Sequence, residues 1–89
     1  MPRPHATNGK LRSLVREVLS IAPGYALEDT QLCGAVREVL PLNDADDSEI
    51  LTAAEWNLGK GYLQAANNDD TDNREWRITK GGIAKQSIK

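Results

Sequence analysis

The sequence predicts an α+β domain in which a three-helix bundle is followed by a C-terminal two-stranded β-hairpin. Three observations carry this reading. Apolar residues recur at helical spacing in three stretches, each stretch has start and stop signals, and two short alternating runs near the end flank a polar turn segment. At 89 residues, with 39% hydrophobic and 27% charged side chains, the chain has room for one small core.

Residues 1–9 carry Pro2 and Pro4 without periodicity and are expected to form a tail, with the domain at 10–86 and a short C-terminal tail at 87–89. From Lys10 onward Leu11, Leu14, Val15, Val18, Leu19 and Ala22 define one helical face, and Thr7 or Asn8 is available as its cap. Pro23-Gly24 ends that helix, and Tyr25 and Leu27 read as a short extended link. Glu28 or Asp29 opens a second helix with Leu32, Ala35, Val36, Val39 and Leu40 as its apolar positions and Pro41 as its stop. Gly34 weakens it by about 1 kcal/mol relative to alanine unless a neighbouring helix needs the close approach.

Asp46 followed by Glu49 has the layout of a capping box and starts a third helix, with Ile50, Leu51, Ala54 and Leu58 expected inward and Gly59 and Gly61 bracketing its exit. The runs 62–66 and 74–79 then form the hairpin, separated by Asn67-Asn68-Asp69-Asp70-Thr71-Asp72-Asn73. Trp76 and Ile78 share one face of the return strand, with Trp76 expected in the core, while Glu75, Arg77 and Thr79 share the other. Thr79 can cap a last helical turn through Gly82-Ile83-Ala84.

The net charge of −2 conceals an asymmetry. Residues 1–27 total +3, 28–40 total −2, 41–59 total −5 with no base at all, 60–73 total −2, and 74–89 total +4. The ends are basic and the middle is acidic.

Several function classes fall away. A single cysteine, Cys33, makes no internal disulfide and reads as a small buried apolar residue, and His5 is too far from it in sequence to build a metal site. The acidic stretch Asp69-Asp70-Thr71-Asp72 lacks the glycine and closing glutamate of an EF-hand loop. Gly59-Lys60-Gly61 and Lys80-Gly81-Gly82 lack the spacing of a phosphate loop, and no carboxylate pair or histidine is arranged for acid–base work. Neither catalysis nor a cofactor or metal is expected. No apolar run approaches the roughly 20 residues of a membrane span, and Met1-Pro2-Arg3-Pro4-His5 lacks the apolar stretch of a signal peptide, so a cytoplasmic location is expected.

The stretch Ile50-Leu51-Thr52-Ala53-Ala54-Glu55-Trp56-Asn57-Leu58-Gly59-Lys60-Gly61-Tyr62-Leu63 resembles the recognition helix, glycine exit and first wing strand of a winged helix-turn-helix domain. Trp76-Arg77-Ile78-Thr79-Lys80-Gly81-Gly82-Ile83-Ala84 resembles the returning wing strand. With the first helix and Ala22-Pro23-Gly24-Tyr25, the chain is also similar, over about residues 10–86, to small winged-helix proteins of Mu-like phages and prophages. Two departures accompany the likeness. Asn57 stands where such families place a leucine, which allows a rotated or shorter third helix, and the wing tip is acidic where a DNA-binding member more often carries Arg or Lys.

The resemblance implies a small regulator of transcription that binds duplex DNA, as a dimer because one domain with few bases binds weakly. By helical spacing Ser48, Glu49, Thr52, Glu55 and Trp56 face outward on the third helix. Ser48 and Thr52 can touch base edges, while Glu49 and Glu55 meet phosphate repulsion unless they face a cytosine amino group. Bases for phosphate contacts are Lys10, Arg12 and Arg16 on the first helix, Lys60 at the helix exit, and Arg74, Arg77 and Lys80 along the wing. The alternative is a winged-helix docking module in which Glu49, Glu55 and Trp56 meet another protein, with Trp56 as the aromatic anchor; its motivation is the −5 block. A tryptophan there can instead fold over the wing onto Tyr62 or Trp76.

Overall fold

The computed structural model describes residues 7–21, 24–40, 45–67, 69–70 and 72–87. Readings placed on His5, Ala22, Pro23, Pro41, Asn68 and Thr71 lie outside them. The described elements run α1 (Asn8–Ser20), β1 (Leu27–Glu28), α2 (Asp29–Glu38), α3 (Asp47–Gly59), β2 (Leu63–Asn67), β3 (Arg74–Ile78) and α4 (Lys80–Ser87).

Each of the first three helices starts where local chemistry satisfies its free amides. Thr7 is extended, and its hydroxyl accepts from the Lys10 amide at 3.1 Å, which starts α1 at Asn8, inside the stretch read as tail. Glu28 and Gln31 form a capping box at α2, with the Glu28 amide donating to Gln31 Oε1 at 3.0 Å. Asp46 and Glu49 do the same at α3, where the Asp46 amide donates to Glu49 Oε1 at 3.1 Å.

The hairpin is there, and a third strand joins it. β3 is central in the order β1-β3-β2, both pairings antiparallel, with Leu27 opposite Trp76 on one side and Leu63 to Asn67 opposite Ile78 to Arg74 on the other. The expected two-stranded hairpin is present as β2 and β3, and β1 extends it to a three-stranded sheet. At two residues β1 is too short to show alternation, and it is held by its partner strand rather than by its own pattern. Leu27, Leu63, Ala65, Trp76 and Ile78 turn one sheet face onto the helices. There Trp76 is fully buried, in one core cluster with Leu11, Val15, Leu32, Val36 and Ile50. Truncating a buried aromatic of this kind costs about 3–5 kcal/mol.

On α3 the buried positions are Ile50, Ala53, Ala54 and Asn57, with Leu51 packed at the edge. Leu58, expected inward, is instead 39% exposed. The helix keeps its length but is rotated, because the Asn57 amide and not the Leu58 side chain enters the interface with α1. α4 also extends beyond a single turn, covering Lys80–Ser87 and packing on α1. Thr79 starts it as expected: its hydroxyl accepts from the Gly82 amide at 3.0 Å and donates to the Gly61 carbonyl at 2.6 Å. At Gly82 a side chain would collide with the Tyr62 carbonyl and the Ile78 side chain, so only glycine lets α4 approach the root of the wing. Gly61 turns that corner with φ of +79°.

Candidate nucleic-acid interface

Ser48, Thr52 and Glu55 lie exposed on the outer face of α3. The Thr52 hydroxyl donates to the Ser48 carbonyl at 2.7 Å and keeps its lone pairs for an incoming donor. Asn8, Arg12, Ser48, Glu49, Thr52 and Ala53 line a shallow cleft of about 150 Å³ between the starts of α1 and α3.

The acids of α3 are engaged within the fold. Asp46 and Glu49 serve the capping box, Asp47 pairs with Arg37 of α2, and Glu55 accepts from Arg74 Nη1 at 3.3 Å. A block that sums to −5 in sequence is therefore partly the chemistry of a helix start and partly internal ion pairing.

Toward α1, the Arg12 guanidinium lies 4.4 Å from the centroid of the Trp56 ring and the Lys60 ammonium 5.4 Å from the same ring. Trp56 is half-buried and meets Tyr62 with centroids 6.2 Å apart and planes tilted by 51°. It folds over the root of the wing, on Tyr62 rather than on Trp76. Beneath this cluster sits a polar knot. Asn57, 0% exposed, donates to the Arg12 carbonyl at 3.1 Å and the Ala53 carbonyl at 2.9 Å, and its Oδ1 accepts from Arg16 Nη1 at 2.9 Å. Arg16 Nε donates in turn to Gln86 Oε1 of α4 at 2.9 Å, and the guanidinium lies 5.5 Å from the Tyr62 ring centroid. At 7% exposure Arg16 is not the phosphate-contacting base that its sequence position suggested. Burial pushes its pKa below the ordinary arginine value, with Tyr62 acting in the opposite direction.

Toward the wing, Arg74 lies over the Trp76 ring at 4.8 Å and contacts Asp29 Oδ2 at 3.6 Å as well as Glu55. Asp29 Oδ1 accepts from the Trp76 indole N–H at 2.5 Å. One carboxylate of α2 thus fastens the central strand and holds its first arginine.

The remaining bases stand apart from both clusters. Lys10 is exposed on the first turn of α1, Arg77 on the outer face of β3, and Lys80 on the first turn of α4, which emerges beside Gly61. At the wing tip Asp72 has φ of +59°, and the Asn73 amide donates to Glu28 Oε2 at 3.1 Å, tying the tip to β1. Cys33 is buried, its thiol pKa raised by that burial. Among the described residues no group of three His, Cys, Asp or Glu could hold a metal ion, and no helix is long and apolar enough to cross a membrane.

Residues that sequence reasoning missed are Asn57 as a bonded core group, Asp29 as the acceptor for both Trp76 and Arg74, and Gln86. The one available signal was a polar side chain, Asn57, in the phase of an apolar helical face.

No protein-family model matches the sequence, and no match to a curated protein is found. Two crystal structures of a mutant MarR from E. coli share the fold. One superposes with a TM-score of 0.64 at 17% identity, covering 84% of this chain and 49% of the other. The second, complexed with operator DNA, has a TM-score of 0.55 at 19% identity, covering 89% of this chain and 62% of the other. The chain spans about half the length of the first and under two thirds of the second. Helix order, sheet and superposition together show that this chain folds as a winged helix.

Proposed function

We propose that the chain is a small winged-helix regulator of transcription that binds duplex DNA through the outer face of α3. The observation that carries the reading is the placing of Arg12, which lines one cleft with Ser48 and Thr52 and shares the Trp56 ring with Lys60 at the helix exit, while Arg74, held by Glu55 and Asp29, marks the wing side. A helix entering the major groove runs between two phosphate walls and needs positive charge on its flanks more than on its crest. Ser48 and Thr52 are the candidates for base edges, with Lys10, Arg77 and Lys80 as outlying phosphate contacts. A fold shared with a MarR structure that holds operator DNA supports the same reading. Dimeric binding follows from the small number of bases, a cytoplasmic location suits the role, and a phage or prophage source rests on the sequence resemblance.

The docking alternative is weakened by the same geometry. Trp56 carries two cations and Tyr62 against its ring, and Glu49 and Glu55 are engaged within the fold. A duplex titration at two salt concentrations tests the choice. DNA binding predicts affinity that falls steeply between about 50 and 200 mM salt. No binding at low salt, together with capture of a protein partner that Trp56→Ala abolishes, would favour docking.

A further inference from the structure

We infer that Arg12, Trp56 and Lys60 form a clamp for backbone phosphate of duplex DNA, in which Trp56 is a positioning residue that touches no DNA itself. The inference rests on the DNA-binding reading above and adds to it the edge of α3 that delivers the charge.

Both cations lie over one ring, Arg12 from α1 and Lys60 from the end of α3, four residues beyond Trp56. An aromatic face attracts a cation through its quadrupole and fixes its position without cancelling its charge. A guanidinium stacked on a ring also keeps its in-plane N–H donors directed outward, in the fork that matches phosphate oxygens. No described carboxylate ion-pairs with Arg12 or Lys60, whereas Arg74 has two such partners. Glu49, which shares the cleft with Arg12, directs Oε1 to the Asp46 amide.

The backbone beneath is fixed as well. Asn57 follows Trp56 and holds the Arg12 carbonyl, so the ring and the arginine above it are set by neighbouring residues of one interface. Tyr62 meets the same indole, and Trp56 stays half-buried, with Lys60 exposed and Arg12 half-buried. Held in this way, the pair loses little side-chain freedom on meeting an anion, which is the advantage of preorganisation. Arg12 lines one cleft with Ser48 and Thr52, where one wall of a major groove would pass.

Phosphate contacts are largely independent of base sequence, so a labelled duplex of mixed sequence serves as the probe. Anisotropy titrations across a salt series should show the slope of log affinity against log salt falling by about one unit for Arg12→Ala and about one for Lys60→Ala. Trp56→Phe should keep the slope, and Trp56→Leu should lower it by one to two units while the chain stays folded by circular dichroism. If Trp56→Leu does not fold, the double-mutant cycle of Arg12→Ala with Trp56→Met replaces it, and a smaller effect of Arg12→Ala on the methionine background, which has no aromatic face, is the expected coupling. Binding with an unchanged slope in Arg12→Ala and Lys60→Ala overturns the clamp and leaves the DNA-binding reading standing. No binding by the parent chain overturns both.

Discussion

On the α1 flank of α3, Arg12 and Lys60 lie over Trp56 with no described carboxylate paired to them; on the wing flank, Arg74 lies over Trp76 but is also bonded to Glu55 and Asp29. The two flanks use the same residue types and differ in the acids. A ring positions a cation and leaves its field intact, while a carboxylate positions it and spends that field inside the protein. Counting bases along the sequence therefore overstates the wing and understates the first helix. Arg74 serves the fold by joining β3 to α2 and α3, whereas among the described residues no carboxylate pairs with Arg12.

Four variants would break or sharpen that contrast. The largest effect is expected from Asn57→Leu, which removes the seat of the α1 flank and strands Arg16 in the core. Loss of hydrogen bonds to a buried charged group predicts a destabilisation of about 2–4 kcal/mol in chemical denaturation. A change below about 1 kcal/mol would mean the knot is not what sets α3 against α1. Next, Arg12→Ala combined with Lys60→Ala should weaken duplex binding about a hundredfold or more at low salt, since each lost charge-assisted contact costs about 1.5–3 kcal/mol.

Glu55→Gln tests the other flank and carries the opposite sign. Loosening Arg74, which Asp29 still holds, and removing one negative charge from the outer face should strengthen duplex binding several-fold and steepen its salt dependence by about one unit. Weaker binding would instead assign Glu55 a direct contact, such as a cytosine amino group. The smallest effect is expected from Arg74→Ala, whose partly exposed ion pairs contribute about 0–1 kcal/mol to stability and whose charge is already matched. A loss of affinity as large as that of Arg12→Ala would erase the difference between the flanks.

Features fixed by neighbouring residues were legible in the sequence. The starts of α1 and α3 follow from Thr7 and from Asp46 with Glu49, whose partners are three residues away. Trp76 and Ile78 reach the core because alternation on a strand is a local rule. What depends on distant partners was not legible. β1 exists because Leu27 finds Trp76, and two residues carry no period of their own. The inward edge of α3 was misjudged because Asn57 counts as polar until Arg16, 41 positions away, supplies its partner. The residues of the site were visible by type, and the acidic block was visible as a sum. Which acid holds which base was hidden, since Arg74 and Glu55 are separated by 19 positions and meet only in the folded chain.

The two tryptophans place one indole N–H on each flank, Trp56 beside Arg12 and Lys60, Trp76 bonded to Asp29 beneath Arg74. Following both indole N–H resonances by NMR while duplex DNA is added therefore reads the flanks separately in one sample. The Trp56 signal should move progressively and return toward its free position as salt is raised, with the Trp76 signal almost stationary. Movement of Trp76 with Trp56 unmoved would put the working charge on the wing, and no movement of either at low salt would remove DNA as the partner.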